Sequence, residues 1–201
     1  MTLRIAIAAV AIALLGPMPA LAIPHSQDPA KVPAGDYVLD PHHASLLVKI
    51  PHMGFSNYTM RFDKLDGHFT YDPANWTATQ VTITVDPNSI NTGQANFDKT
   101  IAGPEYFDAA KYPAITFVSN SVTGQDGKGT VSGDLTFHGV TKPVTLDVAF
   151  NGVGPGLLGV GTRLGFSGTA HIKRSDFGVT AVSQFTGDNL ELIFETEFTR
   201  K

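Results

Sequence analysis

From residue 37 onward, apolar side chains recur at every second position in one stretch after another. Val81, Ile83 and Val85 alternate with Thr82 and Thr84, and Val144, Leu146, Val148 and Phe150 alternate with Thr145, Asp147 and Ala149. Leu164, Phe166, Ala170 and Ile172 hold one parity of the next stretch, and Leu190, Leu192, Phe194 and Phe198 one parity of the last. Successive strand side chains point to opposite faces, so a period of two predicts strands with a single apolar face. Further strands are expected at 44–50, 61–71, 114–121 and 130–138, with 37–40 a short opener. That makes eight or nine strands. The connections are turn-like: Pro73 follows Asp72, residues 124–127 read Gly-Gln-Asp-Gly, and Gly139 to Pro143 bridge another pair.

Such a chain must close or stack to hide its apolar face and its edges. An eight-stranded barrel has room inside for one small ligand. A two-sheet sandwich satisfies the same alternation, and periodicity leaves that choice open. A membrane barrel would need the apolar face outward and aromatic girdles. The acidic run Glu191, Glu195 and Glu197 and the C-terminus Thr199-Arg200-Lys201 argue against it. Between residues 89 and 113 the alternation stops, and 96–102 and 104–110 are expected to form short helices in a crossover.

The N-terminus has a different character. Arg4 precedes an apolar run over residues 5–15, Gly16 and Pro17 break it, and Ala20-Leu21-Ala22 places small residues where a signal peptidase reads them. That order predicts a cleavable export signal over residues 1–22 and a periplasmic destination. The apolar run is too short to span a bilayer, which takes about 20 residues. Residues 23–36 hold three prolines and read as an extended lead-in, and residues 37–201 as one domain. No cysteine is present, so no lipid-modified N-terminus and no disulfide is expected. The net charge is −4, which disfavours nucleic acid as a partner, because phosphate binding needs clustered Lys and Arg.

Catalytic motifs are scarce. Residues 154–159 match G-x-G-x-x-G by letter, but they fall between two expected strands, whereas a dinucleotide site needs a helix to follow. No G-x-S-x-G elbow occurs. Asp63/Asp66 and Glu195/Glu197 fall on the solvent-facing parity. The seven histidines lack H-x-x-x-H or H-E-x-x-H spacing, so no metal site is expected. His52 and His138 each follow a strand and precede a turn, where an imidazole hydrogen-bonds backbone.

What is abundant is aromatic and aliphatic surface, including 13 Phe. Phe69, Phe117, Phe137, Phe150, Phe166 and Phe194 lie on inward strand parity. Met53, Phe55, Phe97, Ile101, Tyr106, Phe107 and Phe177 lie in the crossover and nearby turns, where a segment over an open barrel end would make a lid. A greasy cavity needs little polar chemistry. At about 0.8 kcal/mol per buried CH₂, two or three five-carbon units could supply the roughly 8 kcal/mol of a micromolar complex after association entropy.

Several motifs stand in a fixed order. Residues 37–42 read Tyr-Val-Leu-Asp-Pro-His, residues 52–56 His-Met-Gly-Phe-Ser, and residues 106–117 Tyr-Phe-Asp-Ala-Ala-Lys-Tyr-Pro-Ala-Ile-Thr-Phe. Residues 133–144 read Gly-Asp-Leu-Thr-Phe-His-Gly-Val-Thr-Lys-Pro-Val and residues 173–178 Lys-Arg-Ser-Asp-Phe-Gly. Over about residues 37–199 the chain resembles the YceI-like family of bacterial periplasmic proteins. The resemblance implies an all-β fold, an extended eight-stranded antiparallel lipocalin-like β-barrel with a short helical crossover. It implies a tunnel for a polyisoprenoid, an isoprenoid quinone or another long-chain lipid, held for binding and for transport or storage, with no cofactor and no catalysis. Val48, Ile50, Phe69, Ile83, Val85, Phe117, Leu135, Phe137 and Phe166 are then expected in the tunnel wall. Met53, Phe55, Ile90, Phe97, Ile101, Phe107 and Phe177 are expected in the lid. Asn91 and Phe97 depart from the family pattern, which usually has an acidic residue at the first position and a basic one at the second. Arg174 and Asp176 are expected to form a structural ion pair at a strand end. Two alternatives stay open: a lipid-modifying enzyme using His52 or His138, and a structural or interaction module that binds no ligand, which a core packed without a cavity would favour; a homodimer is left open as well.

Overall fold

The computed structural model describes residues 24–156 and 159–201. The expected export signal, with its cleavage point after Ala22, lies outside the described residues. Ten strands form one antiparallel sheet: β1 (Gly35–His52), β2 (Ser56–Phe62), β3 (Leu65–Tyr71), β4 (Val81–Val85), β5 (Ile90–Asn91), β6 (Ile115–Gln125), β7 (Lys128–Phe137), β8 (Val140–Pro155), β9 (Thr162–Lys173) and β10 (Asn189–Arg200). β10 pairs with both β9 and β1, so the sheet closes on itself.

Ten strands make eight staves. β2 and β3 lie along the same flank of β1, with Leu46 opposite Phe62 and Val38 opposite His68. They are one stave broken at Asp63 and Lys64. β4 and β5 likewise continue one line, Val85 opposite Leu65 and Ile90 opposite Phe62. The result is a closed eight-stranded antiparallel barrel. Closure leaves no long edge exposed, which is the physical reason the alternation can run through every stave. It decides for the barrel over the sandwich.

Bulges explain where the sequence parity flips. β1 points Tyr37 and Leu39 inward and then Leu46, Val48 and Ile50, a change from odd to even. Its register against β10 shifts between Leu39 and Ala44, which joins the expected opener and first long strand into one. Within that bulge the Asp40 carboxylate accepts from the His43 ring at 2.8 Å, from the His42 N–H at 3.0 Å and from Arg163 at 2.9 Å. Arg163 also bonds Glu197 on β10. Burial on its own would push the Asp40 carboxyl up, but those hydrogen bonds outweigh it and hold the pKa at about 2, below the usual 3.8. A lowered folded-state pKa contributes stability that is complete above 3.8 and is lost as pH falls toward about 2. Thermal unfolding of wild type and Asp40→Asn across that window should therefore show a shallower acid limb in the variant. Parallel curves would remove Asp40 from the account.

Apolar parity faces inward on every stave, and the outer wall carries hydroxyl pairs such as Ser132–Thr145 and Thr136–Thr141. This is the reverse of a lipid-facing barrel. On the inner wall Gly168 makes room for a neighbour. A β-carbon there would lie 2.1 Å from the Phe194 ring and 2.5 Å from the Asp147 carbonyl, so the ring lies across bare backbone.

The crossover supplies one helix, α1 (Ala95–Ala102). Asp98 accepts from the Thr92 N–H at 2.7 Å and the Thr92 hydroxyl at 2.6 Å, which ties the first turn to the preceding loop. Ile101 on its inner face is buried with Val48, Phe62, Val85 and Ile90. The second expected helix, 104–110, does not form. The Gly103 carbonyl takes N–H bonds from both Tyr106 and Asp108, Phe107 N–H turns back to Ile101, and Asp108 is left-handed at φ 46°. These are successive turns, started by the Gly103-Pro104 break. α1 and these turns close the gap beside β5 at one end of the barrel, the α1 end. At the other end the lead-in crosses: Ser26 pairs with Val153, a 3₁₀ turn spans Pro29–Lys31, and Val32 is buried. Tyr37 is fully buried there, stacked on Phe69, with its hydroxyl donating to the Pro33 carbonyl at 2.7 Å.

Candidate ligand tunnel

Packing is concentrated at the two ends of the barrel. Tyr37, Phe69, Phe198 and Leu164 cluster at the lead-in end, joined edge-on by Phe166. At the α1 end Phe107 stacks near Phe62 and meets Phe137 edge-on, and Phe137 leans on Phe177. Between and through these clusters runs a cavity of about 990 Å³, at the upper end of the range for small-molecule sites. Its middle is walled by Leu46, Val48, Ile83, Leu135, Leu146, Val148, Ala170, Leu192 and Phe194. Its lining reaches His52, Val182, Phe185 and Thr186 at the α1 end, and Pro29, Trp76, Thr79 and the 122–131 hairpin at the other. It is a tunnel.

Most residues expected in the wall or lid line this tunnel: Val48, Ile50, Phe69, Ile83, Val85, Phe97, Ile101, Phe107, Phe117, Leu135, Phe137 and Phe166. Four do not. Ile90 and Phe177 are buried in the packing behind the wall. Met53 and Phe55 stand at the tip of the β1–β2 hairpin and face outward, 54% and 87% exposed. Sequence reasoning missed Tyr58, Met60 and Phe62 as a group. They alternate inward along β2, but that strand was expected to start only at residue 61.

Polar atoms on the lining sit near the ends. The hydroxyl of Tyr58, whose ring stands T-shaped to Phe97, is buried without a hydrogen-bond partner among the described residues, and so is Thr79 Oγ1 at the opposite end. A buried, unanswered hydroxyl costs about 1–3 kcal/mol. Tyr58→Phe is expected to raise the stability of the empty protein by about 1 kcal/mol, read by urea unfolding. A loss of stability would show that water or a bound molecule answers the hydroxyl.

Arg174 departs from expectation. It forms no ion pair with Asp176. Its side chain is buried and donates to the carbonyls of Gly187 at 3.0 Å, Val179 at 3.2 Å, Ala181 at 2.7 Å and Thr186 at 3.3 Å, and to the Thr186 hydroxyl at 3.0 Å. All five guanidinium donors are spent on the 179–187 loop that rims the tunnel. Asp188 bonds the Ser175 hydroxyl and N–H instead, and those bonds lower its pKa, with Arg174 adding a smaller pull.

The remaining chemistry-bearing residues do not converge. His52 lines the tunnel and pairs through its backbone with Thr186. His138 Nδ1 lies 3.2 Å from the Phe177 carbonyl and its ring stands edge-on to Tyr112. Among the described residues, neither is hydrogen-bonded to a carboxylate, and no three His, Asp or Glu side chains are placed to hold a metal ion. Asn91 donates to Asp63 at 2.8 Å and is not part of the lining, whereas Phe97 is. The G-x-G-x-x-G run begins at Gly154 and Pro155 in the end of β8, and no α-helix stands between β8 and β9 among the described residues.

Comparison with known proteins matches this geometry. Residues 37–198 fit the sequence profile of the YceI-like domain. A UPF0312 protein of Vibrio cholerae is 41% identical over 165 residues, covering 81% of this chain and 87% of its own. Among solved structures, BcnA of Burkholderia cenocepacia superposes with a TM-score of 0.69 at 26% identity, covering 79% of this chain and 98% of its own. A polyisoprenoid-binding domain from Saccharophagus degradans, implicated in plant cell wall breakdown, superposes at 0.61 with 20% identity over 82% of this chain and 98% of its own, a likeness of fold. By sequence and by barrel architecture alike, the chain belongs to the YceI-like family.

Proposed function

We propose that this protein binds a polyisoprenoid, an isoprenoid quinone or a similar long-chain lipid inside the barrel, and carries or stores it in the periplasm once an N-terminal export signal has been removed. The observation that carries the reading is the tunnel itself: about 990 Å³, apolar through its middle and reaching both barrel ends. A cavity of that shape suits one long chain better than a compact molecule. Hydroxyls at the two ends, Tyr58 and Thr79, suit an amphiphile whose polar group stops near a rim. In this reading the protein acts by binding alone. A similar fold in the polyisoprenoid-binding domain from Saccharophagus degradans supports the same ligand class.

The test is a titration of delipidated protein with polyprenols of graded length. Each added carbon that reaches the wall contributes up to about 0.8 kcal/mol, so affinity should climb with each isoprene unit and level off when the tunnel is full. Affinity independent of chain length, or absent at every length, would overturn the proposal.

A further inference from the structure

Two loops meet at the α1 end and hold apolar side chains out in water. The hairpin tip at 53–55 exposes Phe55 and Met53, and the 179–187 loop exposes Phe185 and Val182. They form one rigid rim. Met53 N–H donates to the Phe185 carbonyl at 2.8 Å and Gly187 N–H to the Pro51 carbonyl at 2.7 Å. Met53 and Val182 are both left-handed, at φ 51° and 48°, a conformation that β-branched valine strongly resists. The buried Arg174 fastens the loop from beneath through four carbonyls. The left-handed backbone at Met53 and Val182 and the guanidinium beneath the 179–187 loop thus fix the two segments that carry these side chains.

Charge distinguishes this rim from the rest of the molecule. Residues 51–57 and 178–187 contain no Asp, Glu, Lys or Arg, in a chain of net charge −4. The opposite end presents Asp28, Lys31, Asp36, Asp126 and Lys128 around its own exposed Trp76 and Val160. An uncharged, aromatic surface enters the headgroup–acyl boundary without desolvating an ion and without repulsion from anionic lipid. Val182 and Phe185 also line the tunnel mouth, so the exposed rim and the apolar wall are continuous. We infer that the Met53–Phe55 tip and the 179–187 loop form a collar that docks on a lipid bilayer and sets the tunnel mouth against it. A chain leaving the bilayer would then reach the tunnel without crossing water. This inference rests on the lipid-binding reading above.

The test uses the double variant Met53→Asn/Phe55→Ser, since neither side chain lines the tunnel and Asn tolerates the left-handed position. Wild type should cosediment with ligand-free phosphatidylcholine vesicles, with little dependence on salt. The variant should partition at least about tenfold more weakly and take up a fluorescent polyprenol from vesicles correspondingly more slowly. Uptake of the same polyprenol from detergent solution should be unchanged. Val160→Ser, an exposed apolar side chain at the opposite end that does not line the tunnel, should behave as wild type. Equal vesicle binding by wild type and the collar variant would overturn the inference. So would a concentration-dependent dimer of the wild type that the collar variant abolishes, without vesicle binding, because the collar would then be an interface between copies. Polyprenol binding absent even from detergent would instead refute the tunnel reading, and the ligand-free vesicle assay would still report on the collar.

Discussion

Replacing Arg174 with methionine is expected to destabilise the protein by about 3–5 kcal/mol, because the buried guanidinium donates to four carbonyls of the 179–187 loop. The methionine keeps the stem and removes every donor. For a chain of this size that should lower the melting temperature by on the order of 10 °C. The loss should also be local. Amide exchange of residues 179–187 should accelerate well beyond that of β9 and β10, since beside a few backbone bonds the loop depends on this side chain, where the strands are held by ladders. Arg174→Lys keeps the charge but not the planar fork, so it should recover only part of the stability. A loop as protected in Arg174→Met as in wild type would show that its apolar neighbours hold it without the arginine.

Obstructing the tunnel should have the largest effect on binding. Ile83 packs against all three buried clusters of the barrel, which places it near the middle of the tunnel. It is only half-buried because it faces the cavity. A tryptophan there extends into existing space, so the cost to folding should stay within the 1–3 kcal/mol of an overpacked core. A ligand chain would lose the contacts of roughly three to five carbons, about 2–4 kcal/mol, which corresponds to a loss of affinity between thirty- and a thousandfold. Circular dichroism should be unchanged. Undiminished binding of a long polyprenol by Ile83→Trp would place the ligand somewhere other than the tunnel.

The parts of the fold legible in the sequence were those set by local periodicity. Alternation located the staves, and inward parity named most of the wall, because a two-residue period and a buried face are the same fact seen twice. Interruptions were harder to read. The bulge after Leu39 flips parity, so β1 reads as two strands, and the break at Asp63 and Lys64 hides the inward run Tyr58, Met60 and Phe62. The turns after Gly103 look helical by composition, but backbone bonds to Ile101 and Gly103 settle them otherwise. Closure into a barrel depends on which distant strands pair, and only the family resemblance pointed to it from sequence. Arg174 shows the same limit. A charge two residues from a carboxylate suggests an ion pair, and nothing local reveals that a later loop will bring it carbonyls. Met53 and Phe55 were expected over the ligand for their apolar character. Their hairpin tip turns them outward, which moves them from the lid to the rim.

Organic extraction of the protein purified under native conditions, followed by mass spectrometry, tests the central claim most directly. A tunnel of about 990 Å³ with an apolar wall should retain its occupant through purification, because returning a long chain to water forfeits the burial that holds it. The expected result is a stoichiometric long-chain species, isoprenoid in its mass spacing, that is absent from Ile83→Trp. An extract free of lipid, together with no uptake when the protein is incubated with polyprenol, would contradict the account.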